Sequence, residues 1–542
     1  MKADLILTGG KVVTMDPAGT VAEAVAVRRN LVERVGSAES VLELAGPHTR
    51  VIDLGGRTVV PGFIDSHSHM ISTGARRRLY VDLSEEAGVH SIADIVKRLR
   101  ERAEGTPRGE WVLGYQEDDS KLEEGRHPTR WELDQASTQH PILVSTVGGH
   151  FYMANTRAFQ DAGITKETPD PVGGRFDRDP ETGELTGGIH EKALDLVCPN
   201  LPQPTPRQYL EGAREILQEC AQMGITCVYD TVGAPELRAA LELRNQGALP
   251  IRVRVDINIE LFPHLRELGI KRGLGDDWLR ICGLKFFFDG AISARTAAVT
   301  EEYLNKPGFY GVMATTPELA RETLGAAYSQ GYRVSCHANG DAAISLYLDI
   351  MEELQSQYPQ SDPRNRAIHC TVVNPRLVQR IKELQILPTI FGPYPYYHGD
   401  KLLPAFGEER LERMFAARSF LDAGIPVAAH SDHPCAPNPP LMGIHALVNR
   451  LTRGGKPIGQ SQRITVLEAI RLYTVNAAYQ QFDENKLGSI EPGKLADMVV
   501  LDGDILSTPA KEILEIPVDM TIVDGRIVYE RKKDPPRGPP RV

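Results

Sequence analysis

Two kinds of hydrophobic spacing divide this chain. Residues 1–57 carry short apolar runs cut by turn residues, at 4–8, 10–14, 22–27 and 50–53, a spacing that predicts β-strands. The same pattern returns at 497–501 and at 520–529, where Asp524-Gly525 marks a hairpin turn. Residues 1–57 and 487–530 are therefore expected to form one small β-sandwich domain. Between them, over 58–486, apolar runs alternate with amphipathic stretches such as 205–223, 316–330 and 465–479, which predicts a parallel α/β architecture.

The candidate strands of this middle part are 58–65, 142–147, 225–230, 251–259, 281–289, 333–337, 366–370, 385–391 and 426–432. One more run is present than an eight-stranded barrel requires. The run at 142–147 lies in a stretch at about 84–205 rich in charge, proline and glycine, which reads as an insertion over the barrel mouth. The last segment, 531–542, is too rich in proline for helix or central strand and predicts a flexible tail.

Composition narrows the partner rather than the fold. A chain of 542 residues with 41% hydrophobic and 25% charged positions has the balance of an ordinary globular protein. Its formal charge of −11 argues against a nucleic-acid surface, which needs clustered lysine and arginine, and favours a small-molecule ligand. No apolar run reaches the length of a bilayer span and the first residues lack a signal-peptide core, so no membrane partner and a cytoplasmic location are expected. A homo-oligomer, with a dimer the simplest form, is also expected. Seven scattered cysteines without a Cys-x-x-Cys pair predict reduced, buried thiols.

Chemistry gathers at the ends of the predicted strands. The run Val59-Val-Pro-Gly-Phe-Ile-Asp-Ser-His-Ser-His69 closes on two histidines two residues apart, and on a strand such residues share a face and can reach one cation. Taken alone, His-x-His is also a frequent chance spacing. Lys285 sits in the apolar run Ile281-Cys-Gly-Leu-Lys-Phe-Phe-Phe-Asp-Gly290, where its charge is costly to desolvate. It is either ion-paired, with Asp289 on the same strand face, or a neutral amine that has taken up CO2 to bridge two metals. His337, His369 and Asp432 end three further runs. Each alone reads equally as a bonded structural histidine or a cap; together the six are donors that suit zinc, manganese, iron or cobalt.

The sequence at this point resembles the amidohydrolase superfamily, and within it amidohydrolase family 3. The likeness rests on Pro61-Gly-Phe-Ile-Asp-Ser-His-Ser-His69, Gly148-Gly-His-Phe-Tyr-Met-Ala-Asn155, Thr186-Gly-Gly-Ile-His-Glu191, Gly224-Ile-Thr-Cys-Val-Tyr-Asp230, Leu284-Lys-Phe-Phe-Phe-Asp-Gly290, Arg295-Thr-Ala297, His337-Ala-Asn-Gly-Asp341 and Ser431-Asp432. It implies a (β/α)8 TIM-like metal-dependent hydrolase barrel with the small β-sandwich. It also implies two divalent metal ions, zinc before manganese, iron or cobalt: His67 and His69 hold one with Asp432, His337 and His369 hold the second, and a carboxylated Lys285 bridges them. Two departures stand out. Ile368 replaces the family's usual glutamate before the strand-six histidine, and His430-Ser-Asp-His433 replaces its Gly-Ser-Asp-Ala.

The reaction so implied is hydrolysis of a C–N bond in an amide, cyclic amide or N-substituted formamide by a hydroxide carried on the metals, with Asp432 as the catalytic base. Deamination, ester hydrolysis or decarboxylation on the same centre is the alternative, as is a non-catalytic barrel scaffold. For substrate contact the candidates are His150, Asp289, Arg295, Tyr394 and His433, with Tyr396 and Tyr397 in the same aromatic run. For each, loop packing, a salt bridge or a backbone bond is the rival role. His430 shares strand parity with Asp432 and could face the pocket.

Overall fold

A computed structural model describes residues 1–149, 151–171, 173–198 and 201–532. Eight parallel strands form one sheet in chain order: β1 (Phe63–Ser68), β2 (Ile225–Val232), β3 (Arg252–Asn258), β4 (Leu279–Phe287), β5 (Val334–Ala338), β6 (Arg366–His369), β7 (Leu387–Phe391) and β8 (Ala428–His430). Most of their residues are buried, because helices such as Pro206–Gln222, Ala234–Asn245 and Asp341–Gln357 cover the outer surface. Runs buried on both faces lose the polar alternation of a half-exposed strand. The strand ladder runs from β1 to β8, and separate bonds close the seam: Asp432 N donates to His67 O at 3.1 Å and His69 N to His433 O at 2.9 Å. The expected (β/α)8 barrel is thus present.

The two chain ends build the small sandwich. One sheet orders Leu31–Gly36, Ala24–Arg28, Leu5–Thr8 and Arg50–Asp53; the other orders Arg526–Glu530, Val518–Val523, Met498–Leu501, Thr58–Pro61, Lys11–Val13 and Val21–Ala22. Alternation decides what faces what. Leu5, Leu7, Val25, Val27, Val59, Met498, Val500, Met520 and Ile522 fill the layer between the sheets. Their neighbours Val60, Val499, Leu501 and Val523 point the other way, into the barrel core. One sheet is thereby shared by two cores.

Two predicted strands are divided. The run 58–65 is two strands in different sheets, Thr58–Pro61 in the sandwich and β1 in the barrel. The crossing falls at Gly62, where a Cβ would collide with the Thr226 side chain. The run 22–27 likewise divides between Val21–Ala22 and Ala24–Arg28. An unbroken apolar run carries no mark of a change of sheet.

The insertion forms its own mixed sheet, ordered Gly174–Arg178, Leu185–Glu191, Phe151–Ala154, Ile142–Thr146, Val112–Glu117 and Val81–Asp82. Buried charges tie it to the barrel. Lys401 Nζ donates to Asp118 at 2.7 Å and Asp119 at 2.9 Å, and Arg295 Nη2 donates to Asp119 at 3.0 Å. Burial pushes the Asp118 carboxyl up, but Lys401 outweighs it and holds the group far below the usual carboxylate range. Among the described residues no helix is long and apolar enough to cross a membrane. Residues 533–542 of the expected flexible tail lie outside the described residues.

Candidate metal centre

The C-terminal ends of the barrel strands converge at the seam between β8 and β1, and this decides where the donors meet. His67 ends β1 and is buried, while His69, one residue past the strand, precedes the helix Met70–Arg77 and is partly exposed. Asp432 follows β8 with φ 58°, in the left-handed region a non-glycine residue adopts only when its surroundings hold it there. Asp65 supplies part of that hold: its carboxylate accepts from Ser431 Oγ at 2.5 Å and Ser431 N at 3.1 Å. Burial raises the Asp65 carboxyl to about 7. From β2, Asp230 accepts from Met70 N at 2.8 Å and Ile71 N at 3.0 Å, so it caps the helix behind His69. Burial raises Asp230 to about 8.

Asp432 Oδ1 lies 3.2 Å from His67 Nε2 and 3.5 Å from His69 Nε2. Lys285 Nζ is 3.4 Å from His67 Nε2, and His369 Nε2 is 3.1 Å from His337 Nδ1. Donors about 2.0–2.1 Å from one tetrahedral cation stand about 3.4 Å apart. The four separations bracket that value. Donor atoms of His67, His69 and Asp432 fall within 4.8 Å of one another, and so do those of His369, His430 and Asp432.

The polar atoms are also left over. Among the described residues both ring nitrogens of His430 are buried with no hydrogen-bond partner, as are Nδ1 of His67 and Nδ1 of His369, whereas buried polar groups in native proteins are nearly always paired. A cation among these residues would be met by the Nε2 atoms of His67, His69 and His369 that face the cluster, by Asp432 and by a nitrogen of His430, so this donor set fits the metal centre that the sequence implies. Burial, with Asp432 opposing it, pushes the Lys285 ammonium down to about 7, within reach of the neutral amine at physiological pH. The carboxyl of Asp432 is pushed up by burial but held well below its usual range by His369, His67 and His69.

His337 has its Nε2 3.1 Å from the carbonyl oxygen of Gly290 and 3.0 Å from Asn339 Nδ2, and its Nδ1 toward His369. His369, like Asp432, has positive φ, at 72°. Ile368, the first departure from the family pattern, is fully buried beside it.

The substrate-contact candidates part company. A cavity of about 550 Å³ lies between the insertion and the loop after β4, lined by Glu117, His127, Phe151, Arg295, Tyr303 and Phe309 among others. Arg295 alone of the described candidates lines it, and it does so paired with Asp119. Asp289 instead accepts from Ala298 N, Asn339 N and Gly340 N, each at 2.9 Å, so its carboxylate organises the loops around β4 and β5. Tyr394 is buried and stacks on Phe391 at 3.8 Å, in a short helix (Tyr394–Tyr397) rather than an open loop. Tyr397 donates to Glu86 and Tyr396 packs edge-on against His445. His433 Nδ1 sits 3.3 Å from Ala436 O, the backbone-bonded alternative weighed above. His150 lies outside the described residues. The cavity's described lining does not include the histidine cluster, but its wall residue Val147 accepts, through its carbonyl, from Cys435 on the loop that carries Asp432.

Asp65, Asp230, Glu117 and Lys401 were not singled out as site residues. A parity signal existed only for Asp65, two residues before His67 on one strand face.

The sequence profile of the amidohydrolase family matches residues 50–529. The chain belongs to the amidohydrolase family. It is 30% identical to YtcJ of Bacillus subtilis over 98% of this chain and 100% of that one. It is 29% identical to N-substituted formamide deformylase of Arthrobacter pascens, over 97% of this chain and 98% of that one. Among solved structures, an uncharacterized metal-dependent hydrolase from Pyrococcus horikoshii superposes with TM-score 0.74 at 26% identity, over 93% of this amidohydrolase and 99% of that chain.

Proposed function

We propose that this amidohydrolase is a metal-dependent hydrolase that cleaves the C–N bond of an amide, cyclic amide or N-substituted formamide. What supports this above all is the convergence of donor atoms of His67, His69, His369, His430 and Asp432 at the barrel seam. Kinship along almost the full length with an N-substituted formamide deformylase adds the bond type.

In this reading His67, His69 and Asp432 hold one cation, zinc before manganese, iron or cobalt, and His337 and His369 hold a second. Lys285, as a neutral amine, could add CO2 at Nζ and release a proton to give a carbamate, which would supply oxygen donors to these cations. Bound there, such cations polarise a carbonyl and lower the pKa of water. Asp432 accepts the proton of the attacking water and returns it to the departing nitrogen, which leaves as an amine rather than an amide anion. Asp65 and Ser431 keep that carboxylate aimed at the seam. The cavity receives the substituent on the nitrogen: its volume of about 550 Å³ suits a small organic group, and Phe151, Tyr303 and Phe309 supply apolar wall.

The test is a panel of N-formyl, N-acyl and cyclic amide substrates assayed with zinc, manganese or cobalt, beside metal analysis of the purified protein. Turnover of at least one class with bound transition metal supports the reading. Less than about one metal per chain, no gain on reconstitution and no turnover across the panel defeat it.

A further inference from the structure

His430 is an added donor in a place the family usually fills with glycine, and the mechanism above does not use it. It is fully buried at the end of β8. A neutral imidazole always carries one N–H and one lone pair, yet neither ring nitrogen has a hydrogen-bond partner among the described residues. The ring cannot serve as ordinary polar packing without leaving both unpaired. Three rings confine it: Phe391 with centroids 4.6 Å apart, His369 at 5.1 Å and His67 at 5.4 Å. Phe391 also stacks on His369 at 4.5 Å, so one aromatic ring packs against both imidazoles.

We propose that His430 is a metal ligand, binding a borderline transition cation such as zinc, cobalt or iron together with His369 and Asp432. Those three residues have donor atoms within 4.8 Å of one another, and Asp432 also belongs to the His67 and His69 group, so it stands between the two positions. The inference rests on the metal-dependent reading given above. It adds an imidazole to the second position and makes that position richer in nitrogen than the family pattern implies. Imidazole donors select zinc, cobalt and iron over magnesium and calcium, which prefer oxygen.

The experiment compares the full-length protein with His430→Phe, which keeps an aromatic ring and removes the donors, and His430→Gln, which keeps a polar side chain if the first does not fold. Each is loaded with zinc or cobalt and read by metal-to-protein ratio, by the rate of metal loss to a chelator, and by the visible absorption of the cobalt form. The expected result is at least about tenfold faster loss of metal in the variants, as even outer partners of metal ligands are worth 10- to 100-fold in affinity, with an altered cobalt spectrum. Unchanged ratio, loss rate and spectrum in a folded variant overturn the role of His430 while leaving the hydrolase reading intact. A native protein that binds no transition metal overturns both.

Discussion

The two ends of the same barrel treat buried polarity in opposite ways. At the N-terminal ends of the strands sit Arg252 and Arg254 on β3, Arg280 on β4, Arg333 just before β5 and Arg366 on β6. Arg366 bonds within the barrel, to Thr389, Asp256 and the carbonyl of Ser66; the other guanidinium groups are met by the returning chain. Arg252 Nε donates to Asp497 at 2.7 Å and Arg254 Nε to Asp483 at 2.7 Å, while Arg333 Nη2 donates to Gln480 O at 2.6 Å. Arg252 commits Nη1 and Nη2 as well, to Asp277 O, Asp497 and Asp524. At the C-terminal ends the same strands carry Lys285, His337 and His369, and there, among the described residues, His369 Nδ1 and both ring nitrogens of the neighbouring His430 lack hydrogen-bond partners. The difference separates what holds the molecule together from what it keeps available: arginine–aspartate pairs seal the barrel floor to the 480–524 segment, and histidines gathered around one carboxylate at the other end mark where a cation belongs.

If that contrast is right, the largest effect comes from the open end. Asp432→Asn is expected to lower kcat by roughly 10²- to 10⁴-fold, the range for a general acid-base group, with unchanged circular dichroism; full turnover in this variant removes Asp432 as the base. Next stands the sealed end. Arg254→Met leaves the buried Asp483 with Arg280 as its remaining cation, at 2.7 Å, and should cost up to about 3 kcal/mol of stability in denaturant unfolding, whereas a loss below ~1 kcal/mol would mean that the guanidinium layer does not hold the barrel closed.

Metal removal probes the open end through stability. Stripping the protein with a chelator and restoring zinc to about a hundredfold excess over Kd should return about 2.7 kcal/mol per site, read as a rise in the thermal midpoint; identical midpoints would show that the unpaired donors bind nothing. The smallest effect is expected where the insertion meets the barrel mouth through a half-exposed pair. Arg295→Ala, which removes the bond to Asp119, should cost about 1 kcal/mol or less, since Lys401 remains on Asp119. A cost near that of Arg254→Met would place the insertion's anchor with the sealed floor.

Much of the barrel was legible from local pattern. The strand ends that carry His67, His69, Lys285, His337, His369 and Asp432 could be read one by one, because apolar runs and the polar residue that stops them are neighbours in the chain. The division of 58–65 between two sheets was not, since nothing within the run distinguishes Val59 in the sandwich core from Val60 against the barrel. Substrate contacts fared worse: Asp289 and Tyr394 were singled out for residue type and position after a strand, but their partners, the backbone of Ala298, Asn339 and Gly340 and the ring of Phe391, are set by loop paths.

The sequence by itself determined the succession of barrel strands, the family and which donor side chains stand near strand ends, for these depend on spacing along one chain and on side-chain chemistry. Only the tertiary structure decided that His430 joins His369 and Asp432, that Asp65 pins the turn carrying Asp432, and that Arg252 meets Asp497 at the barrel floor. Each of these brings together residues from different strands or from opposite ends of the chain, or a strand residue with a turn hundreds of positions away. Whether a buried donor is paired is settled by packing in three dimensions, and spacing along the chain carries no record of it.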